Sequence, residues 1–456
     1  MTASVTNSFR EHLLTLLKSD IDSDGVPYHI GIAQPDSDAS TPLNLSREGI
    51  PAASIYDQSK FRHTLQSVKV LSNVSYVVPT VTWVSEATYE AYDNNNPYQT
   101  NFYVINSSRE VFLCIQQGKN ADGSAKNSFV EPTSTLANQE PKTFETGDGY
   151  LWRYMYKMSN LAYGTFRTKT YTPVKQVTNR ATTIPEEISQ IGLQDSSVPG
   201  QILSIAIDSG GVNYTSPTIT ISGNGSGAQF LAEVFDNKIV NVRCDSNGLG
   251  NFLHGTNYDY AQVAVTDPGG GSGAKLRAVI STRDGVNKDP VSTLKCREIM
   301  LQTDFIGTEE NTIVANGTDF RQVGVIKGLE KYTNDSDFTG NTGKVTKILT
   351  LGSIQAPESW IDNDTFSNAL QTVTAKVFDL DGTTLYYYQD EETGFENFSL
   401  NESIINTAGG TASIVNIVNP DVDAYSGDIL YINTLASAVE RSAEQTEDIR
   451  IVIQLG

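Results

Sequence analysis

The acidic segments are the first candidates for a functional site, because clustered carboxylates can bind metal ions. Asp20-Ile-Asp-Ser-Asp-Gly25 starts like a calcium loop, with acids at positions 1, 3 and 5 and glycine at position 6. Position 12 requires a bidentate Glu, but Gly31 stands there. We interpret the segment as an acidic turn that ends a helix, with weak adventitious calcium binding as the alternative, and we predict no metal site.

A second acidic group comprises Asp379-Leu-Asp-Gly382 and Asp390-Glu-Glu392. Two carboxylates at a suitable separation can hydrolyse a glycosidic bond, so a glycan-cleaving site is one interpretation. Asp-Gly is also a strong hairpin signal. We favour a hairpin turn at Asp381-Gly382, followed by a solvated acidic loop.

The other catalytic patterns are incomplete. Pro268-Gly-Gly-Gly-Ser-Gly273 has the composition of a phosphate-binding loop, but no Lys-Ser/Thr pair and no helix pattern follow, so we predict a turn. A Gly-x-Ser-x-Gly nucleophile motif is missing from the sequence. The 4 His and 3 Cys residues show no metal-ligand spacing. We predict no catalytic residue and no cofactor.

The most distinctive segment has an aromatic residue at every second position: Tyr150, Trp152, Tyr154 and Tyr156. Period two places these side chains on one face of a strand. Rows of large aromatic side chains are typical of sheet cores and obligate interfaces. We predict a core or interface role, with a sugar- or base-stacking platform as the alternative.

A second distinctive group is Phe320, Arg321 and Gln322. An aromatic residue followed by an arginine and an amide fits a buried turn or an interface better than a substrate site. We therefore add these three residues to the core or interface candidates.

Composition excludes several classes of partner. The net charge is −21, from 53 acidic and 32 basic residues, so phosphate backbones and anionic membrane surfaces would repel the chain. No stretch approaches the roughly 20 apolar residues of a membrane span, and the first residues lack a signal-peptide pattern. An odd number of widely spaced cysteines indicates reduced thiols and synthesis in a cytoplasm. We expect neither nucleic acid nor a membrane as partner.

The elements that position these residues are mostly strands. One N-terminal helix is predicted from the capping box Ser8 and Glu11, and its apolar stripe must dock on another surface: Phe9, Leu13, Leu16 and Leu17. A second helix is predicted across Ala436 to Ala443. Apolar runs and alternation predict strands over 28–33, 68–74, 76–83, 102–105, 111–115, 151–158, 297–304, 320–327, 344–351, 372–379, 384–388, 412–418, 429–432 and 449–454. Residues 106–109 form the loop of a predicted hairpin.

The glycine-rich region contains an approximate repeat. Gly211-Val-Asn-Tyr214 and Gly225-Ser-Gly-Ala228 recur as Gly255-Thr-Asn-Tyr258 and Gly271-Ser-Gly-Ala274. A strand precedes and another follows each Gly-Ser-Gly-Ala element, so we predict two similar hairpin units with a shared core. Two copies are too few for a solenoid.

These patterns predict a mainly β fold with a few helices (α+β). We expect a layered β-sandwich core built from residues 1–190 and 291–456, with residues 191–290 as an inserted small Gly-rich β-hairpin repeat domain. A long insertion is tolerated because each doubling of loop length costs only about 0.6 kcal/mol.

Five segments, in order along the chain, resemble one known family. They are Asn101-Phe-Tyr-Val-Ile-Asn106 with Val111-Phe-Leu-Cys-Ile115, Glu131-Pro-Thr133, Thr146-Gly-Asp-Gly-Tyr-Leu-Trp-Arg-Tyr-Met-Tyr156, Asn316-Gly-Thr-Asp-Phe-Arg-Gln-Val-Gly324 and Gln445-Thr-Glu-Asp-Ile-Arg-Ile451. Together they are similar to the dimeric baseplate wedge subunit of T-even-type contractile-tailed phages, in its cyanophage-like form.

The resemblance implies a structural virion protein without catalysis. It implies a homodimer in the tail baseplate, in contact with other wedge proteins that link the hub to pin and fibre proteins. The Gly-rich region departs from the simpler members of the family. A fibre-associated receptor- or glycan-binding adhesin is the alternative function, and a tail-associated glycan depolymerase is the third.

Overall fold

The computed structural model describes residues 7–23, 25–34, 55–134, 143–248, 251–307, 319–442 and 444–454. Across these residues the protein is mainly β with a few helices, which confirms the predicted α+β class. The β-sandwich core stays a prediction.

The described helices are α1 Asn7–Ile21, α2 Ile55–His63, α3 Asn160–Phe166, α4 Pro185–Asp195 and α5 Pro290–Thr293, with a 3₁₀ helix at Pro357–Ser359. Helix α1 confirms the predicted N-terminal helix, but Ser8 lies inside it and so is not its N-cap. Most of its predicted apolar stripe is exposed, since Phe9 and Leu16 are each 52% exposed and Leu13 is 36% exposed, whereas the buried Arg10 and Leu14 lie outside the stripe. Helix α4 was not predicted, although proline and two glutamates in its first turn are helix-start signals.

The chain divides into two compact units. Unit 1 comprises residues 1–16, 75–300 and 452–456, and unit 2 comprises 17–74 and 301–451. The division falls within α1 and within strands β3 Asn73–Pro79, β17 Glu298–Ile306 and β27 Thr446–Gln454. The boundaries predicted at residues 190 and 290 stay a prediction.

Unit 1 contains the strands β4 Tyr103–Ile105, β5 Glu110–Gln116, β6 Thr143–Glu145, β7 Leu151–Lys157, β8 Tyr171–Val174, β9 Ile202–Val212, β10 Thr218–Gly223, β11 Ser226–Ala228, β12 Phe230–Phe235, β13 Lys238–Cys244, β14 His254–Thr256, β15 Ala261–Thr266 and β16 Ser272–Ile280. A four-stranded sheet has the order β4-β5-β7-β6. Ile105 pairs with Val111 across the predicted hairpin loop, which confirms that hairpin. β5 and β7 are almost wholly buried, consistent with their continuous apolar and aromatic runs.

The two sequence copies of the Gly-rich region interlock, and the predicted hairpins within each copy are wrong. Strand β10 of the first copy pairs with β15 of the second. β11, which carries Ser226 and Ala228, pairs with β14 of the second copy, and β16 of the second copy pairs with β9. Tyr214 and Tyr258 are both buried in one shared apolar cluster. The shared core is therefore confirmed, but most of its strand pairs join the two copies, while β12 pairs with β13 within the first copy.

Two glycines make this pairing sterically accessible. Gly211 has φ +67° and Gly255 has φ +65°, a region that L side chains rarely adopt. A Cβ on Gly255 would lie 2.6 Å from the Ala228 nitrogen and the Ser226 oxygen. A Cβ on Gly211 would lie 2.6 Å from the Ala274 nitrogen. Each Gly-x-Asn-Tyr element thus packs directly on the Gly-Ser-Gly-Ala backbone of the other copy.

Unit 2 contains the strands β1 Tyr28–Ala33, β2 Leu65–Val70, β18 Asp319–Lys327, β19 Thr342–Lys344, β20 Lys347–Gly352, β21 Thr365–Asn368, β22 Thr374–Asp381, β23 Thr384–Tyr388, β24 Ser403–Asn406, β25 Thr411–Val418 and β26 Asp428–Glu440. A five-stranded sheet has the order β19-β2-β1-β18-β26, and a closed barrel has the order β20-β23-β22-β21-β24-β25. Asp381 pairs with Thr384, which confirms the hairpin predicted at Asp381-Gly382.

The helix predicted across Ala436 to Ala443 is wrong. Strand β26 continues through Glu440, and its end pairs with β18, Val439 opposite Phe320 and Glu440 opposite Asp319. The alanine-rich composition favours a helix locally, but pairing with a neighbouring strand satisfies the backbone and overrides that weak preference.

The glycine packing makes a specific prediction for Gly255→Ala. The substitution adds a Cβ against the backbone of β11, so we expect overpacking to remove about 1–3 kcal/mol of unfolding free energy, in addition to the cost of a positive φ for an L residue. Gly270→Ala is the matched control, because Gly270 also has positive φ (+82°) but has nothing within 4 Å of the position that its Cβ would take. It should cost only about 1–2 kcal/mol. Urea unfolding of both variants measures the difference, and equal losses would contradict the packing argument.

Candidate functional site

The aromatic strand lies inside unit 1. Tyr150, Trp152, Tyr154 and Tyr156 are all at most 5% exposed. Tyr150 and Trp152 stack with centroids 5.6 Å apart, and Tyr89 meets Trp152 edge-on. These rings thus fill the interior of the fold and present no open face on which a sugar or base could stack.

The strict period of two ends at a β-bulge. Val111 pairs with Tyr156 and Phe112 with Tyr154, so Met155 is an extra residue on β7. Tyr150, Trp152 and Tyr154 belong to one apolar cluster, whereas Tyr156 belongs to the cluster on the other side with Met155. The expectation of a single wholly aromatic face is therefore wrong at Tyr156.

A buried arginine lies between the aromatic rings in sequence. Arg153 is 3% exposed and donates to the side-chain oxygens of Gln201, at 3.1 Å, and Asn287, at 3.4 Å. Burial lowers the pKa of its guanidinium to about 10, so it stays charged at neutral pH. Gln201 and Asn287 flank the Gly-rich strands, so this one side chain holds both ends of that region against β7.

Asp148 explains the Thr-Gly-Asp-Gly turn that precedes the aromatic strand. Its carboxylate accepts hydrogen bonds from the Ser128 hydroxyl, from the backbone of Phe129 and Val130 and from the Thr146 hydroxyl. Burial alone would raise the pKa of Asp148, but these donors outweigh burial and lower it. The carboxylate therefore fixes two loops and is occupied by structural bonds.

Phe320, Arg321 and Gln322 lie on β18 in unit 2. Phe320 and Arg321 are buried. The Arg321 Nε donates to the Leu435 carbonyl at 3.0 Å, and Gln322 Nε2 donates to the Thr434 hydroxyl at 3.4 Å. Both bonds join β18 to β26, so in this chain the three residues fix a strand pair.

The acidic groups are also engaged. Lys376 bridges Asp390, at 2.7 Å, and Glu392, at 2.9 Å. The pKa of Asp379 is raised mainly by burial and, to a smaller extent, by the charge of Asp381.

The partial calcium loop contains Asp20, whose carboxylate accepts hydrogen bonds from Lys327 and Tyr28. Those bonds lower the pKa of Asp20. Asp24 lies outside the described residues, and no described group of His, Cys, Asp and Glu is arranged to hold a metal ion.

Unit 2 contains an apolar cavity of about 330 Å³, which could hold a ligand. Its wall is mostly apolar and aromatic, with one lysine and one aspartate: Tyr332, Val345, Lys347, Phe395, Pro420, Val422, Asp423, Ala424 and Tyr425. Phe395 and Tyr425 are 48% and 49% exposed, and their rings meet at 85° with centroids 5.6 Å apart. We call this cavity the aromatic pocket.

Sequence reasoning missed the aromatic pocket and the role of Arg153. The pocket residues come from segments between 332 and 425 that share no motif, so only the packing of strands and loops brings them together. Arg153 could have been noticed, since an arginine between apolar residues on a buried strand must find hydrogen-bond partners.

Comparison with models of known protein families and with curated proteins gives no match to this chain. Among the described residues, no helix is both long and apolar enough to cross a membrane.

Buried histidine predicts a pH dependence of stability. The pKa of His254 is lowered to about 4, mainly by burial and secondly by the charge of Arg153. The hydrogen bond from its Nδ1 to the Ile202 carbonyl, at 2.9 Å, acts in the opposite direction and raises the pKa. Above about pH 6.5 both the folded and unfolded forms are neutral. As pH falls from 6.5 towards 4, only the unfolded chain binds the proton, so unfolding free energy falls, by roughly 3 kcal/mol in total.

Urea unfolding at pH 7, 6, 5 and 4.5 tests this dependence. His254→Asn cannot titrate and should show a shallower decline over that range than the unsubstituted protein, whatever its stability at pH 7. His12→Asn, at an exposed position on α1, should keep the full decline. An unchanged slope in His254→Asn would refute the assignment to His254.

Proposed function

We propose that this protein is a structural baseplate wedge protein of a contractile phage tail. In this proposal it forms a homodimer, bridges neighbouring wedge proteins and reaches fibre or pin proteins, and works in the virion after synthesis in a host cytoplasm. Its task is to hold subunit interfaces that can rearrange on host contact, which requires alternative packings and no chemical step.

The observation that carries the proposal is the ordered resemblance of five segments along the sequence. Its central segment, Thr146 to Tyr156, has structural roles in this chain: Asp148 fixes loops, the aromatic rings fill the core and Arg153 binds the stems of the Gly-rich region. A segment used throughout for packing supports a structural role over a catalytic one.

The exposed stripe of α1 supports self-association. Phe9 and Leu16 are each 52% exposed and Leu13 is 36% exposed, although three- and four-residue spacing places them along one side of the helix. Apolar side chains in such an arrangement gain free energy when a second surface covers them. We assign a second copy of the chain to this stripe.

Immunogold labelling of purified virions tests the proposal directly. Antibody against this chain should label the baseplate in positions compatible with six-fold symmetry, in extended and contracted tails. Label along fibres would favour the receptor- or glycan-binding adhesin instead. Absence of the chain from virions by mass spectrometry would refute a virion role.

Self-association predicts the effect of charge on α1. Leu16→Glu should weaken the dimer at least ten-fold, because a carboxylate would lose its water in the interface. Leu161→Glu, at a 71% exposed leucine on α3, is the matched control and should leave the dimer intact. Sedimentation equilibrium measures both. A monomeric unsubstituted protein, or a dimer unaffected by Leu16→Glu, would contradict this interface.

A further inference from the structure

The rim of the aromatic pocket is held in place before any ligand arrives. Arg62 on α2 donates to three carbonyl groups of the rim loop, those of Ala424, Ser426 and Gly427, at 2.6–2.7 Å. The His63 ring lies 5.9 Å from the Phe395 ring and 5.8 Å from the Tyr425 ring. Two half-exposed aromatic side chains are therefore supported from behind, so a ligand would not have to order them.

The pocket also offers one donor and one acceptor. Lys347 donates to Gln389 at 2.8 Å, and an ammonium group carries two further N–H groups. Asp423 accepts the Tyr425 backbone N–H at 2.9 Å through one carboxylate oxygen and has a second oxygen. Both residues line the pocket, among seven apolar or aromatic residues.

Size and wall chemistry decide the class of occupant. A cavity of about 330 Å³ accommodates one large side chain or one small molecule. A sugar ring carries hydroxyl groups on most of its atoms, and a wall with only two charged groups would leave many of them without partners. An extended peptide presents one apolar side chain with a carbonyl and an N–H beside it, which matches the wall, Lys347 and Asp423.

We propose that the aromatic pocket binds a large apolar side chain, of the tryptophan or phenylalanine class, from an extended segment of a neighbouring protein. The side chain packs against the Phe395 and Tyr425 rings, which contact each other edge to face. Lys347 donates to the main-chain carbonyl of the segment, and Asp423 accepts its N–H. Such a buried anchor is the usual centre of a protein interface. That the neighbour is another baseplate protein rests on the proposed function, whereas the chemistry of the segment does not.

The test uses the full chain and N-acetyl-L-tryptophanamide as the probe. Titration calorimetry and NMR measure the binding of the probe. This probe has the side chain, carbonyl and N–H of the proposed anchor. It should bind saturably and at least ten-fold more tightly than N-acetyl-L-alaninamide. N-acetylglucosamine serves as the sugar comparison and should not bind at the pocket.

Two variants locate the binding. Tyr425→Ala removes half of the aromatic rim and Ala424→Phe fills the pocket, and each should weaken probe binding at least ten-fold. Tyr98→Ala, at a 60% exposed tyrosine of unit 1, is the matched control. Circular dichroism of each variant verifies folding, and Ala424→Phe keeps the test decisive if Tyr425→Ala fails to fold.

Three results would overturn the proposal: no saturable binding of the tryptophan probe, equal binding by the unsubstituted protein and Ala424→Phe, or binding of N-acetylglucosamine in its place. All are measured on the isolated chain. They are therefore independent of virion labelling, so failure of the pocket proposal and failure of the baseplate proposal can be told apart.

Discussion

The buried guanidinium of Arg153 is the interaction on which unit 1 depends. Moving a charge out of water costs several kcal/mol unless hydrogen bonds replace the lost hydration. Gln201 and Asn287 supply those bonds, and Asn287 also donates to the Tyr154 carbonyl at 2.8 Å. Because the two amides flank the Gly-rich strands, the same bonds also hold both ends of that region beside β7.

Within the Gly-rich region, the main constraint is steric: two backbone segments can pack closely only where no Cβ stands between them. Gly211 and Gly255 let each Gly-x-Asn-Tyr element lie directly on the backbone of the other copy, and the following tyrosines, Tyr214 and Tyr258, fill the shared cluster. Residues of both copies line this one cluster. The sequence repeat therefore reflects reciprocal pairing of the two copies, which explains why two copies are enough to form the core.

In unit 2, a different arginine, Arg62, bonds to the main chain and not to the side chains of the described residues. Arg62 donates to main-chain carbonyls of the loop between β25 and β26, and so shapes the rim of the aromatic pocket. The five-stranded sheet carries β18 with Arg321 and Gln322 bonded to β26, and the barrel carries Lys376 with its acidic partners. Arg62 and Arg321 thus bond to main-chain carbonyls, whereas Arg153 and Lys376 bond to side chains.

Sequence patterns predict the local structure that depends on neighbouring residues. Alternation gave most strands, including β7. Apolar residues at three- and four-residue spacing indicate α1, although Ser8 is not its N-cap. Asp381-Gly382 indicates a hairpin turn, because turn geometry and strand period are short-range properties. Contacts between distant segments determine the features that the sequence patterns did not predict. The bulge at Met155 turned Tyr156 to the other cluster, pairing with β18 made residues up to Glu440 a strand, and exchange between copies replaced two hairpins. The aromatic pocket joins segments far apart in the chain. These features depend on which distant strand satisfies a backbone and which side chains share a cavity, and such long-range choices leave no periodic signal in a single sequence.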